Sequence, residues 1–321
     1  MRTPFLACVL LMSVNLLRAA TIHVPGDQPT IQDAINIANT GDVVLVAPGT
    51  YSENINFVGK AITVASSNGT SVTIIDGGKA APVVGFAAGE TSKSVLRGFT
   101  LQNGSSTFNT QYDGGGIYIS GASPAIVGNV IRNNTACNAG GGMWIVNDSN
   151  ALIVQNLFYA NTASQGGAIY LSMPSGSTGP VLVNNTIIGG NGATQGSAVW
   201  AGGFDSQVFF YNNLLIGLST QNAVYCDATY SSVPPVFTNN DAYSPAGSGL
   251  EGTCASEQGQ SGNISANPLF VNASKKNFQL QSTSPAINAG DNSAPNIPPK
   301  DLAGKTRIVG GVIDLGAYEF Q

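Results

Sequence analysis

Charge is what this sequence has least of. Charged residues make up 9% of the 321-residue chain, with 12 Lys and Arg against 17 Asp and Glu, a formal net charge of -5 and a pI near 4.7. So few cations exclude a nucleic-acid-binding face built from clustered Lys and Arg. Between residues 98 and 226 the only charged side chains are Asp113, Arg132, Asp148 and Asp205. Histidine occurs once, as His23, and no Cys/His cluster has zinc-ligand spacing, so no metal centre is expected. After the first twenty residues no apolar run is long enough to cross a membrane, and no transmembrane segment is expected in the mature chain. Helix-period apolar stripes are also missing from the middle of the chain, which excludes helical repeats.

What is present is a phrase that returns about once per coil. The aliphatic-aromatic pairs Ile117-Tyr118, Met143-Trp144, Ile169-Tyr170, Val199-Trp200 and Val224-Tyr225 follow one another at steps of 26, 26, 30 and 25 residues. A second phrase runs in phase, with Asn three residues after an apolar residue and another apolar residue two further on. It occurs as Ile126, Asn129, Ile131; Ile153, Asn156, Phe158; Leu182, Asn185, Ile187; and Phe210, Asn213, Leu215. Self-similarity at such a period marks a solenoid. Enrichment in Val, Ile, Tyr, Phe and Thr with Gly and Asn punctuation makes each unit a set of short strands. The expected fold is all-β, a right-handed parallel β-helix of roughly eight to ten coils stacked about 4.8 Å apart, with a short N-terminal capping helix.

Stacked coils place Asn129, Asn156, Asn185 and Asn213 above one another, where their amides form a ladder. Asn133-Asn134-Thr135, Asn147-Asp148-Ser149 and Asn184-Asn185-Thr186 also read as glycosylation sequons. Residues 1–20 read as a secretory signal peptide, with Arg2, an apolar run from Phe5 to Leu17, and Ala19-Ala20. A secreted, periplasmic or cell-surface location follows, and it permits disulfides. Cys226 and Cys254 bracket an irregular insertion, Val233 to Gly252, that a bridge would stabilise by roughly 3 to 4 kcal/mol. Cys137 is expected to be a small buried apolar residue.

Residues 21–60 form the N-terminal cap and first coil, 61–266 the β-helix coils and 267–321 a C-terminal cap. Ile31, Ala34, Ile35 and Ala38 give the capping helix its apolar stripe. Pro-Thr-Ile-Gln-Asp-Ala-Ile-Asn at 29 to 36, Val-Val-Leu-Val-Ala-Pro-Gly-Thr-Tyr at 43 to 51 and Ala-Ile-Thr-Val at 61 to 64 resemble the opening of pectin-lyase-fold proteins, pectin methylesterases included. That resemblance implies a right-handed parallel β-helix. Asn-Pro-Leu-Phe-Val at 267 to 271, Ser-Pro-Ala-Ile-Asn-Ala-Gly-Asp at 284 to 291, Asp301-Leu302-Ala303-Gly304, Arg307 and Asp-Leu-Gly-Ala-Tyr-Glu at 314 to 319 resemble the C-terminal choice-of-anchor Q module of bacterial β-helix proteins. A sorting signal often follows that module; none does here, so release or periplasmic residence is expected. Asp291, Asp301, Arg307, Asp314 and Glu319 are expected to cap turns and form an ion pair closing the barrel end. A calcium site on those carboxylates is the alternative, without the dense ligand spacing of a known loop; otherwise no cofactor is expected.

Strand alternation puts Ile117 and Ile119 inside and Tyr118 outside, so Tyr118, Trp144, Tyr170, Trp200 and Tyr225 form one outer column. Such a column could serve as a platform for the rings of a polysaccharide or cell-surface glycan, or could stack on itself beneath the loops and stabilise the coils. Catalysis would need a carboxylate pair roughly 5 to 9.5 Å apart. The best pair is Asp148 with Asp205, two coils apart and about 10 Å from each other if both point outward. Arg132 or Arg97 would be the basic partner. Paired Asp motifs followed by Gly-His, of the polygalacturonase type, are absent, and no segment matches the catalytic ones of pectin methylesterase. The reading is a non-catalytic exported β-helix protein that presents a polar and aromatic face to glycans. A polysaccharide lyase or hydrolase and a structural stalk or adhesin remain as alternatives.

Overall fold

The computed structural model describes residues 19–106, 113–173, 178–202, 207–218, 221–229, 231–245 and 247–321. Of the signal-peptide reading only Ala19 and Ala20 fall within them. The described chain is a parallel β-helix, nearly all β, with one α-helix. Its strands form three parallel sheets of nine, eight and eight strands, and consecutive strands of the chain visit the three sheets in turn. A first face runs from Thr21–Val24 to Val236–Thr238, a second from Gly49–Ser52 to Asp241–Tyr243, and a third from Ile55–Asn56 to Leu250–Gly252. The barrel thus has eight three-strand rungs, with about seven turns between the first and the last.

The repeat read from the sequence is the pairing register. Ile117 pairs with Met143, Met143 with Ile169, Ile169 with Val199 and Val199 with Val224. Inward positions on each face, such as Ile117, Ile119, Ile126 and Ile131, are completely buried. Large rings fill the interior: Phe57 lies 4.5 Å from Phe86 and Phe210 lies 4.6 Å from Phe237, centroid to centroid. A buried Asn at the turn between the first and second faces recurs from rung to rung. The main-chain N–H of each donates to the side-chain oxygen of the next: Asn129 N to Asn156 Oδ1 (2.9 Å), Asn156 N to Asn185 Oδ1 (2.9 Å), Asn185 N to Asn213 Oδ1 (2.9 Å). The ladder continues through Asn240 and ends on Asn263. A second, shorter ladder pairs Asn134 with Asn161. Of the sequon asparagines, Asn184 is completely buried and cannot carry a glycan, whereas Asn133 and Asn147 are exposed.

The helix Ile31–Ile37 covers the N-terminal end with Ile31, Ala34 and Ile35. Thr30 caps it by accepting from Asp33 N, and Glu53 accepts from Ile31 N (3.0 Å) and Gln32 N (2.9 Å). Three carbonyls at its other end, those of Ile35, Asn36 and Ala38, accept from Lys60 Nζ. A negative group at the helix start and a cation at its end both follow the helix dipole.

Three expectations need correction. Val233 to Gly252 is not an irregular insertion but most of the eighth rung, with strands Val236–Thr238, Asp241–Tyr243 and Leu250–Gly252. The disulfide joins Cys226, in the strand Val224–Asp227, to Cys254, in the 3-10 turn Thr253–Glu257, with Cα atoms 5.6 Å apart and both residues in the barrel core. Cys137 is a free, half-buried thiol, not a fully buried one. Residues 267–321 do not close the barrel end either. They run back along its flank: Leu280, Ala286 and Leu315 pack on Leu214 and Ile216, Ala294 on Val154 and Val183, and Phe278 on Leu157 and Tyr159. Asn184 Nδ2, Asn212 Nδ2 and Asn239 Nδ2 donate to Asp314 O, Asp291 O and Ala289 O.

Inside that segment the expected capping is present. Asp314 accepts from Asn288 N and Phe320 N, Asp301 from Lys305 N and Glu319 N, and Glu319 from Val309 N and Asp314 N. Arg307, 1% exposed, donates to Asp314 O and Gly316 O, and its Nε lies 4.0 Å from Glu319 Oε2. Burial pushes the Asp314 and Glu319 carboxyls up and the Arg307 guanidinium down, and the attraction between Arg307 and its carboxylates opposes each shift.

Candidate functional site

The third face carries one unbroken outward file. Its register runs Asn56, Gly85, Tyr118, Trp144, Tyr170, Trp200, Tyr225, Glu251. Four rings of the file are stacked. Tyr118 and Trp144 are 5.1 Å apart at 17°, Trp144 and Tyr170 6.5 Å at 17°, and Tyr170 and Trp200 4.5 Å at 3°. Tyr225 follows Trp200 in register. This geometry follows from the fold: equivalent side chains on successive parallel strands leave the sheet in one direction, one strand spacing apart.

The stacking corrects the picture of an open platform. Ring faces turned toward neighbouring rungs cover one another, and Tyr118 and Trp200 are only 9% and 7% exposed. Trp144 and Tyr170, stacked on both sides, are half-buried and present edges to solvent, and Tyr225 is half-buried. An aromatic edge is the positive rim of the ring quadrupole. It suits oxygen atoms better than the C–H face of a sugar.

At the lower end of the file the ring column stops at Gly85. A cavity of about 210 Å³ opens there, lined by Asn54, Asn56, Pro82, Gly85, Ala87 and Tyr118. A side chain at Gly85 would meet Asn56 Nδ2 within 3.2 Å. Asn54 is held in place by donating to the carbonyls of Gly77, Ala81 and Pro82.

Among the described residues, those considered for catalysis do not come together. Asp148 is exposed at the corner after Met143–Val146, in a left-handed turn with Asn147, while Asp205 lies outside the described residues. Arg132 is on the second face, opposite Gln102 and Tyr159. Arg97 is on the first face, opposite Ala65 and Val127. The two arginines therefore do not share a groove. Two carboxylates that the sequence reading passed over do lie on the third face, Asp227 beside Tyr225 and Glu251 one rung beyond it. The repeat could have found Glu251 had the pair alignment been carried one coil past Val224-Tyr225. Asp113, at the approach to Ile117–Ser120, has its carboxyl pushed up by burial against hydrogen bonds from Asn138 and Ala139. Among the described residues no group of three or more His, Cys, Asp or Glu side chains could hold a metal ion, and no helix is long and apolar enough to cross a membrane.

No family model matches the chain, and neither does any curated protein. Among solved structures it is similar to a pectin methylesterase in complex with a hexasaccharide, at 10% identity and a TM-score of 0.36 over 72% of this chain and 80% of that one. A mutant pectin methylesterase in complex with another hexasaccharide gives 10% identity and a TM-score of 0.24, over 65% and 78%. The β-helix assignment rests on the strand pairing of this chain itself.

Proposed function

We propose that this is an exported, non-catalytic glycan-binding β-helix protein whose third face receives an extended polysaccharide. The observation that supports it is the straight file of rings at one-rung steps, with Trp144, Tyr170 and Tyr225 reaching the surface. A linear array of aromatic edges beside Asn-lined corners offers a chain of sugar oxygens repeated contacts along the barrel. Export is supported by the apolar run from Phe5 to Leu17 and by the Cys226–Cys254 bridge, which belongs to an oxidising compartment. Residues 267–321 are read as a choice-of-anchor Q type module; the support is their motif spacing and the internal network around Arg307.

Retention of the purified protein on a panel of immobilised polysaccharides tests this reading. Trp144→Ala is expected to weaken retention about tenfold, equivalent to ~1.4 kcal/mol, and Trp200→Ala, whose ring is buried, to act first on stability. Absence of retention on every polysaccharide, or a Trp144→Ala protein that binds as well as the parent, would sink it. A second reading, polysaccharide cleavage, is favoured by Asp227 and Glu251 at the far end of the same file. Reducing or unsaturated ends released from the panel, and lost in Asp227→Asn, would replace binding with catalysis.

A further inference from the structure

A second cavity, also about 210 Å³, lies on a different face, in the seam between the second sheet and the C-terminal segment. Arg132 and Tyr159 reach it from the barrel, Thr70 and Ser71 from the corner before Thr73–Asp76, and Lys276 and Tyr318 from the C-terminal segment. No carboxylate is among the described residues that line it. In a chain with 12 cations and net charge -5, two cations converging on one cavity without an acid call for an explanation.

Arg132 is positioned, not merely present. Its Nε and Nη2 donate to Gln102 Oε1 at 3.1 and 2.9 Å, and its Nη1 donates to Tyr159 Oη at 3.0 Å. Gln102 is held in turn by donating to Asp76 Oδ2 at 2.9 Å. Burial would raise the Asp76 carboxyl, but hydrogen bonds from Gln102, the Gly78 N–H and Asn103 outweigh it and keep the group below its ordinary value. The file Asp76, Gln102, Arg132, Tyr159 is thus a relay of four outward positions on consecutive rungs. A guanidinium has five N–H donors, so two of Arg132's remain after these three bonds. The only ion pair among the described residues is that of Arg307 with Glu319, so Arg132 has no carboxylate of its own. Accepting from Arg132 leaves the Tyr159 hydroxyl proton to be donated elsewhere. The Tyr318 hydroxyl is pushed up to about 12, by burial first and then by the nearby Asp301 and Tyr159, and so remains a donor. Lys276 sits at φ 63°, a left-handed position that glycine would take at lower cost.

We propose that this seam pocket binds a tetrahedral oxyanion, a phosphate or sulfate group, with Arg132 and Lys276 supplying the charge and the surrounding hydroxyls completing its hydrogen bonds. A carboxylate has two oxygens in one plane, whereas these donors come from the barrel and the C-terminal segment together and outnumber what two oxygens accept. Planar Arg and point-charge Lys are a frequent pairing on phosphate. At this volume, below the 300 Å³ or so of a drug-sized site, the pocket holds the oxyanion and little of what carries it. This inference does not rest on the aromatic file, which is on another face.

Calorimetric titration of the intact protein at low salt tests it, with inorganic phosphate, inorganic sulfate, glucose 6-phosphate, acetate and glucose as probes. Phosphate and sulfate are expected to saturate a single site, with acetate and glucose silent. Arg132→Gln and Lys276→Gly are each expected to weaken binding about tenfold, and Trp144→Ala to leave it unchanged. Glucose 6-phosphate binding more tightly than phosphate would identify an ester on a larger ligand; equal affinity would identify the free ion. Lys276→Gly relieves a left-handed residue and so preserves the fold even if Arg132→Gln does not. No saturable phosphate or sulfate binding up to about 50 mM (barely 2 kcal/mol), equal binding of acetate, or titrations unchanged in Lys276→Gly would each overturn the proposal.

Discussion

Asn185→Ala is expected to lower the stability of the barrel by about 5 kcal/mol, measured by denaturant unfolding, whereas Asn147→Gly, at a left-handed position (φ 59°) that glycine adopts freely, costs under about 0.5 kcal/mol. The Asn185 carboxamide makes four buried hydrogen bonds. Its Oδ1 accepts from Asn156 N (2.9 Å) and Asn156 Nδ2 (3.1 Å), and its Nδ2 donates to Ile153 O (2.8 Å) and Asn213 Oδ1 (3.0 Å). Truncation orphans Asn156 N, at a cost of about 1 to 3 kcal/mol, and takes one bond each, about 1 kcal/mol apiece, from Asn156 Nδ2, Ile153 O and Asn213 Oδ1, although Asn156 Nδ2 keeps Ile126 O and Val154 O, and Asn213 Oδ1 keeps Asn185 N. Asn147 is exposed and donates only to Ser120 Oγ, so water replaces what it loses. Because a solenoid couples each repeat mainly to its neighbours, a break at a middle rung also splits the cooperative unit, and the unfolding transition should broaden. Equal, small losses for both variants would show that the ladder is decoration and not structure.

The rungs were legible because one side-chain pattern has one physical cause. A residue facing the core in one coil must face it in the next, so register could be copied from spacing alone, as for Ile117, Met143 and Ile169. Asn240 and Asn263 belong to the same ladder but were missed. At Asn240 the flanking pair is Phe237 and Ala242, and alanine is too weak an apolar signal to complete the phrase; at Asn263 the strand pattern has already given way to turn. Alternation also told which side of the sheet Tyr118 and Trp144 occupy. It could not tell whether the rings would lie open or pair face to face, since period two fixes a direction and not a rotamer. The C-terminal motifs were visible as motifs, yet nothing in them says that residues 267–321 fold back over the first and second faces. The docking partners of that segment, Leu157, Tyr159 and Leu214, occupy outward positions of the barrel, which strand alternation does not distinguish from solvent-facing ones. For the same reason the seam pocket was illegible: Arg132 and Lys276 meet only through that docking. Arg97 and Arg132 were grouped by sequence distance, although the corner between Val127 and Val130 puts them on different faces.

Asp241 is buried on the face where that segment docks, beside Leu214, and the protein is expected to be less stable at pH 8 than at pH 4.5 on its account. Asp241 begins the second-face strand of the last rung, pairs with Leu214 and is completely buried. One oxygen accepts from Ala266 N at 2.9 Å; the other, Oδ2, has no partner. Burial pushes its carboxyl up to about 7, against the lowering effect of the Ala266 bond, while in the unfolded chain it titrates near 3.9. Below about pH 4 the group is protonated in both states and its burial is tolerated. As the pH rises from there to about 7 the unfolded chain releases the proton first, and the folded state loses ground over a gap of roughly three pH units, about 4 kcal/mol. Above pH 7 both states are ionised and the loss levels off. Asp241→Asn removes the titration while keeping an oxygen for Ala266 N, so it should stabilise the protein relative to the parent at pH 8 and confer no such gain at pH 4.5. Since burial raises Asp314 and Glu319 as well, the quantity that isolates Asp241 is the difference between parent and variant at each pH, from urea unfolding. A difference that stays constant from pH 4.5 to 8 would mean that Asp241 is solvated or paired in the folded state, and that the docked segment opens at this rung.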